Sequence, residues 1–330
     1  RFVLRRNSHA GYLQSGGLSL NMFTEDELYE IHLATLEVLE HTGVYFEDEE
    51  AREILADGGA TVNPKTHVVT FPPYMVEDAI RSAPGSVNLA GRDPEKDYVL
   101  GNNRVGFTNF GEGISIVDIH TGELRETVKK DVEESAVLVD YLDGIDVYER
   151  AVGAHDVNQD AQPLHNAEAF LANTTKHCFH GAGNGRLMKG AIDMAAAIVG
   201  GHDKLAERPI ISFNTCPISP LKLVRDCTEI IIEGARAGVL VNVLTQALAG
   251  GSAPVTSAGT LVIHNAEVLS GIVLGQTVRK GTPMMFGSST CPLDLRMATA
   301  TVGSPECAMI NAGVAALSKY YLLPSWVAGG

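Results

Sequence analysis

Few residues in this 330-residue chain have types that invite chemistry, and most of them follow runs of β-branched and aromatic residues. Glu112 closes the stretch Thr108-Asn109-Phe110-Gly111-Glu112-Gly113, where a carboxylate can neutralise an ammonium or accept a hydrogen bond from one. Asn214 follows Phe213, and Gln246 follows Thr245; both amides have the donors and acceptors to position a small polar ligand, or equally to satisfy loop backbone. Gly181-Ala182-Gly183-Asn184-Gly185 invites a nucleotide reading, but position 186 is Arg, so the spacing of a dinucleotide fingerprint is missing. Gly250-Gly251-Ser252-Ala253-Pro254 lacks the Lys-Ser or Lys-Thr ending of a phosphate loop, although its small residues would let a flat macrocycle approach the backbone.

Other chemistries find little footing. Cys178 and His180 fall on one face of a strand and His177 on the other, so alternation keeps the three from sharing a metal. The five cysteines have no Cys-x-x-Cys spacing and are expected to be reduced, mostly buried thiols. No Ser-His-Asp or Cys-His arrangement stands out. A Schiff-base lyase or aldolase would need a lysine at a strand's C-terminal end, whereas Lys176 precedes its strand.

These groups need a scaffold, and the pattern predicts one. After a helix over 21–44 and a short α+β region, the period drops to two between 86 and 128, with a hairpin turning at His120-Thr121-Gly122. From there strands and helices alternate. Strands are predicted at 105–111, 145–153, 177–181, 209–217, 239–247, 283–289 and 325–330, separated by helical runs. Alternating βαβ units imply a parallel sheet, so the expected fold is an α/β TIM-type (β/α)8 barrel, incomplete here at about seven strands; a doubly wound open sheet is the alternative. The expected organisation is an N-terminal helical and β-hairpin extension over 1–104 and a (β/α) barrel over 105–330 lacking its final strand. In such a barrel the site forms at the C-terminal strand ends. There Glu112 is the only carboxylate on the predicted rim.

Composition sets outer limits. Hydrophobic residues make up 45% and charged residues 20%, as in an ordinary globular enzyme core. A net charge of -15 disfavours nucleic acid and the anionic membrane surface, and favours a cationic substrate or a basic partner face. No window of 18 uninterrupted apolar residues or apolar leader is present, so a cytoplasmic protein without a membrane partner is expected.

A set of segments resembles one family. Gly250-Gly251-Ser252-Ala253-Pro254-Val255, His264-Asn265-Ala266-Glu267-Val268-Leu269-Ser270-Gly271, Gly287-Ser288-Ser289-Thr290, Val302-Gly303-Ser304-Pro305-Glu306 and Leu322-Leu323-Pro324-Ser325-Trp326-Val327-Ala328-Gly329-Gly330 look like the trimethylamine methyltransferase family. Upstream, Asn173-Thr174-Thr175-Lys176-His177 and Cys216-Pro217-Ile218-Ser219-Pro220-Leu221 extend the likeness over nearly the whole chain. The resemblance implies a methyltransferase that passes a methyl group from trimethylamine to the Co(I) of a cognate small corrinoid protein. The cobalamin-type cofactor then belongs to the partner, and none is bound by this chain. It further implies a pyrrolysine close after the segment ending at Gly330, with the chain stopping at an in-frame UAG codon. A relative acting on quaternary amines such as glycine betaine would share the same segments. A truncated barrel or scaffold protein is the reading of another class, and a homo-oligomer is expected. Within the enzyme reading, Glu112, Asn214 and Gln246 are the expected catalytic groups, and Phe110, Ser288, Ser289 and Trp326 the expected substrate contacts, aromatic faces and hydroxyls around a methylated cation.

Overall fold

A computed structural model describes residues 12–13, 21–101 and 104–328, so the expected end of the last strand at Gly329 and Gly330 lies outside the described residues, as does the start of the chain over 1–11. The chain forms two compact units, one of Arg1–Ser15 with Ser86–Asn214, the other of Gly16–Gly85 with Thr215–Gly330.

In the first unit, the strands Val147–Glu149, His177–Gly181 and Ile211–Thr215 pair in parallel, with Glu149 opposite Phe179 and Gly181 opposite Asn214. Helices Gln162–Asn173 and Gly185–Val199 make the crossovers, as βαβ geometry requires. A further short helix, His202–Glu207, had no signal of its own because Gly200 and Gly201 break the preceding pattern. The predicted hairpin is present as Ser115–Val117 paired with Leu124–Glu126. Arg125 anchors it through a bidentate pair with Asp131 at 2.7 and 2.8 Å and a bond to Asp118 at 3.1 Å.

One expected strand is interrupted. Val105 ends a two-residue strand paired with Tyr12, the Phe107 carbonyl accepts from Asp146 N at 2.8 Å, and beyond it the segment meets its neighbour through single parallel bridges, Thr108 to Val147 and Gly113 to Val152. The reason is chemical: the Asn109 side chain takes the place of a strand backbone. Its Nδ2 donates to the Glu149 carbonyl at 2.7 Å and its Oδ1 accepts from the Glu149 N–H at 3.0 Å. Both hydrogen-bonding groups of the Glu149 peptide are thus used by an amide side chain, and no ladder forms.

In the second unit, Val241–Thr245 pairs in parallel with Met284–Ser288, which pairs in parallel with Ser325–Val327. The helix Ser257–Val278 between the first two is buried along most of its length, packed among the helices Glu25–Glu37, Pro73–Ser82 and Arg225–Ala237. It is the one described helix long and apolar enough to cross a membrane by composition, and its burial accounts for its apolar character. The helix expected over 21–44 forms as Glu25–Glu37 continued by Val38–Thr42, and Gly43, at φ 73°, ends it so that Val44–Phe46 is instead a strand paired with Val68–Thr70. Thr24 and Glu27 form a reciprocal cap on the first helix, at 2.8 and 3.2 Å.

Candidate active site

The C-terminal strand ends of the first unit carry a pair of carboxylates. Glu149 is the last residue of its strand and only 8% exposed. Its Oε1 accepts a hydrogen bond from Asn214 Nδ2 at 2.8 Å, while Oε2 makes no hydrogen bond among the described residues and is not sealed from solvent. Burial, and after it the charge of Glu112, push the Glu149 carboxyl up to about 7, against the opposing pulls of Arg150 and of the Asn214 hydrogen bond.

Glu112 faces this group from an unusual backbone. Its φ of 67° lies in the left-handed region, which a non-glycine residue adopts at a cost of about 1 kcal/mol or more. The neighbouring peptides hold it there, Glu112 N donating to the Arg150 carbonyl at 3.0 Å and Gly113 N to Ala151 at 2.8 Å. The Glu112 carboxylate pairs with Arg150 Nη2 at 2.6 Å, and more than half of the side chain remains exposed.

Two glycines make room for the pair. A Cβ on Gly181 would lie 2.7 Å from Glu112 Oε1, and one on Gly111 would lie 2.7 Å from Glu149 Cδ. Both distances are below any real Cβ contact, so each carboxyl group rests over a glycine that no other residue could replace without displacing it. Arg150, itself mostly buried, completes the set with its Nε sealed and unpartnered.

Of the residues expected from the sequence, Glu112 and Asn214 are brought together here, around Glu149. Phe110 precedes this group and is 80% exposed. Glu112 is therefore not the only carboxylate on the rim, as the sequence suggested. Glu149 was overlooked because the strand was read as running to Gly153, which put its end four residues too late. The actual strand is three residues long and ends on the acid.

In the second unit, Ser288 ends its strand, Gln246 and Ser289 directly follow theirs, and Trp326 is the middle residue of Ser325–Val327. Thr245 is paired in register with Ser288, and Gly287 with Trp326. Ser288 is fully buried, its Oγ accepting from Thr290 N at 3.2 Å, so its hydroxyl serves the turn that follows. Ser289 is partly exposed and its N–H donates to the Thr245 carbonyl at 2.9 Å. Gln246 is exposed, and Trp326 is half-buried.

A second buried acid, Glu267, was also missed. It accepts from Ser219 Oγ at 2.8 Å, from Leu221 N at 2.9 Å and from Thr245 Oγ1, so it ties the loop 216–222 to the end of the strand Val241–Thr245. Burial raises its pKa, partly offset by these donors. A lone acid in an otherwise apolar helix was the available signal. His177, weighed as a ligand, is a satisfied core residue, bonded to the Ala90 carbonyl at 3.1 Å and Ser212 Oγ at 2.7 Å. Among the described residues no group of three His, Cys, Asp or Glu could hold a metal ion.

The profile of the family described as Trimethylamine methyltransferase (MTTB) matches residues 5–330. A protein named trimethylamine methyltransferase MttB from Desulfitobacterium hafniense is 52% identical over 327 residues, which are 99% of this chain and 66% of that protein. One of the same name from Methanosarcina barkeri is 44% identical, across 99% of this chain and 67% of its own length. A glycine betaine methyltransferase from Desulfitobacterium hafniense is 32% identical over 94% of this chain and 64% of its own. The chain thus spans about two thirds of the length of the curated relatives it matches. The crystal structure of the Methanosarcina barkeri monomethylamine methyltransferase is similar at a TM-score of 0.54 and 12% identity, covering 91% of this chain and 67% of that one. A hydroxylamine complex of MtmB gives a TM-score of 0.53. At such identities the likeness bears on fold alone, and it supports the α/β TIM-type barrel over the doubly wound sheet.

Proposed function

The chain belongs to the trimethylamine methyltransferase family, and on that premise we propose that it transfers a methyl group from trimethylamine to the Co(I) of a corrinoid carried by a separate small protein. The observation that carries this reading is the carboxylate pair Glu112 and Glu149, set over Gly181 and Gly111 at the strand ends where a barrel enzyme keeps its site. A buried carboxylate with one free oxygen, beside a second carboxylate, suits a small organic cation.

The partner's corrinoid would supply the nucleophile, whose electron pair forms the new bond to carbon. This chain's residues would do the rest. Glu112 and Glu149 hold the cationic nitrogen, and Asn214 fixes the Glu149 carboxyl so that the methyl group keeps one orientation, a positioning effect. Relatives named for trimethylamine are 42–52% identical and the one named for glycine betaine 32%, which favours the tertiary amine. Under this reading a pyrrolysine belongs to the part of the relatives' length that this chain does not span, and reading codon 331 tests it.

The experiment is formation of dimethylamine from trimethylamine by the protein from its source, with a reduced corrinoid protein. Product that requires all three components supports the reading. Turnover of glycine betaine but not trimethylamine would replace it with the quaternary-amine activity.

A further inference from the structure

Resting on the amine reading above, we propose that Glu149 selects the protonated form of a tertiary amine by accepting its N–H, so that the site takes an ammonium bearing a proton in preference to a quaternary one. The geometry points this way through a division of labour between the two acids. Glu112 is more than half exposed, with its Oε1 paired with Arg150 at 2.6 Å, so it contributes charge without an acceptor held buried in a fixed direction. Glu149 is buried, its Oε1 is fixed by Asn214 at 2.8 Å, and Oε2 is left without a hydrogen bond. Its backbone is clamped on both sides by the Asn109 amide, which fixes the point from which the side chain departs. Gly111 beneath it leaves no room for a side chain, so the carboxyl sits in a defined place.

A rigid buried acceptor with one free oxygen discriminates by hydrogen bonding and not by charge. Trimethylammonium and tetramethylammonium carry the same charge, but only the first can donate. Placed against Oε2, the quaternary ion would desolvate a carboxylate oxygen and return no hydrogen bond. The proton also matters to the chemistry. When the carbon–nitrogen bond breaks, its electron pair returns to nitrogen and the methyl group goes to the Co(I) nucleophile. An amine that already bears a proton then leaves neutral as dimethylamine, and no further proton has to be supplied.

The test is equilibrium binding of trimethylammonium chloride and tetramethylammonium chloride to the unmodified protein, with no corrinoid present, followed by Glu149→Gln and Glu112→Gln. A charge-assisted hydrogen bond predicts roughly ten- to a hundred-fold tighter binding of trimethylammonium. Glu149→Gln should erase that preference, whereas Glu112→Gln should weaken both ions alike and leave their ratio unchanged. Equal binding of the two ions by the unmodified protein overturns the inference while leaving the cation site standing, and needs no variant. Retention of the preference in a folded Glu149→Gln protein, checked by circular dichroism, overturns it as well. Failure of both ions to bind removes the cation site itself, and the proposed function with it.

Discussion

Replacing Glu149 by Gln should stabilise the protein, and only at neutral and alkaline pH. In the folded chain the Glu149 carboxyl is pushed up to about 7 from an ordinary 4.5, chiefly by burial and then by Glu112. A folded pKa raised above the unfolded one means that the folded state binds the proton more tightly. The stability linked to that proton is fully present below the unfolded pKa and is lost as pH rises through about 7. The difference of about 2.5 units corresponds to a cost of roughly 3 kcal/mol for carrying the ionised group at pH 8. Glutamine keeps the shape and an oxygen for the Asn214 bond while removing the ionisation. The variant should therefore melt close to the unmodified protein at pH 4.5 and about 6 °C above it at pH 8, taking roughly 2 °C per kcal/mol for a chain of this size. Thermal melts of both proteins across that range read the effect directly. A melting-temperature difference that is flat with pH, or that favours the unmodified protein at pH 8, refutes the reasoning.

Gly111→Ala puts a Cβ 2.7 Å from the Glu149 carboxyl carbon, so methyl transfer should fall by roughly a hundred-fold with the fold intact by circular dichroism. Glu267→Ala strands Ser219, Leu221 N and Thr245 Oγ1 without their acceptor, and should cost about 3 kcal/mol in denaturant unfolding. Asn109→Ala removes the side chain that serves both the N–H and the carbonyl of Glu149. Amide hydrogen exchange at Glu149 should accelerate by about tenfold or more, while exchange in the strand Ile211–Thr215 stays unchanged.

The sequence carried the succession of strands and helices because parallel strands and crossover helices leave strong, distinct periods. Six of the seven predicted strands are present, His177–Gly181 with the predicted bounds and the other five shortened at their ends. The seventh, over 105–111, failed where a side chain imitated a backbone. Periodicity registers which residues are apolar, and an asparagine amide bonded to the Glu149 peptide does not alter it. The same limit hid the site. Glu112 was legible because it follows a predicted strand, on the rim where a barrel keeps its site. Glu149 was concealed inside a run read as continuous strand, and its importance depends on Asn214, sixty-five positions away in sequence. Glu267 is similar: its three partners come from a loop and a neighbouring strand that only the folded chain brings near. The roles given to Ser288 divide in the same way, since its place at a strand end was visible but the burial of its hydroxyl was not.

The most direct test of the methyl-transfer account follows the fate of the methyl group. The protein from its source, mixed with a corrinoid protein reduced to Co(I) and with carbon-13-labelled trimethylamine, should release dimethylamine in step with loss of the Co(I) absorbance, and Glu149→Gln should slow both together. Loss of the Co(I) absorbance without dimethylamine, or no reaction while the Glu149→Gln protein behaves identically, would contradict it.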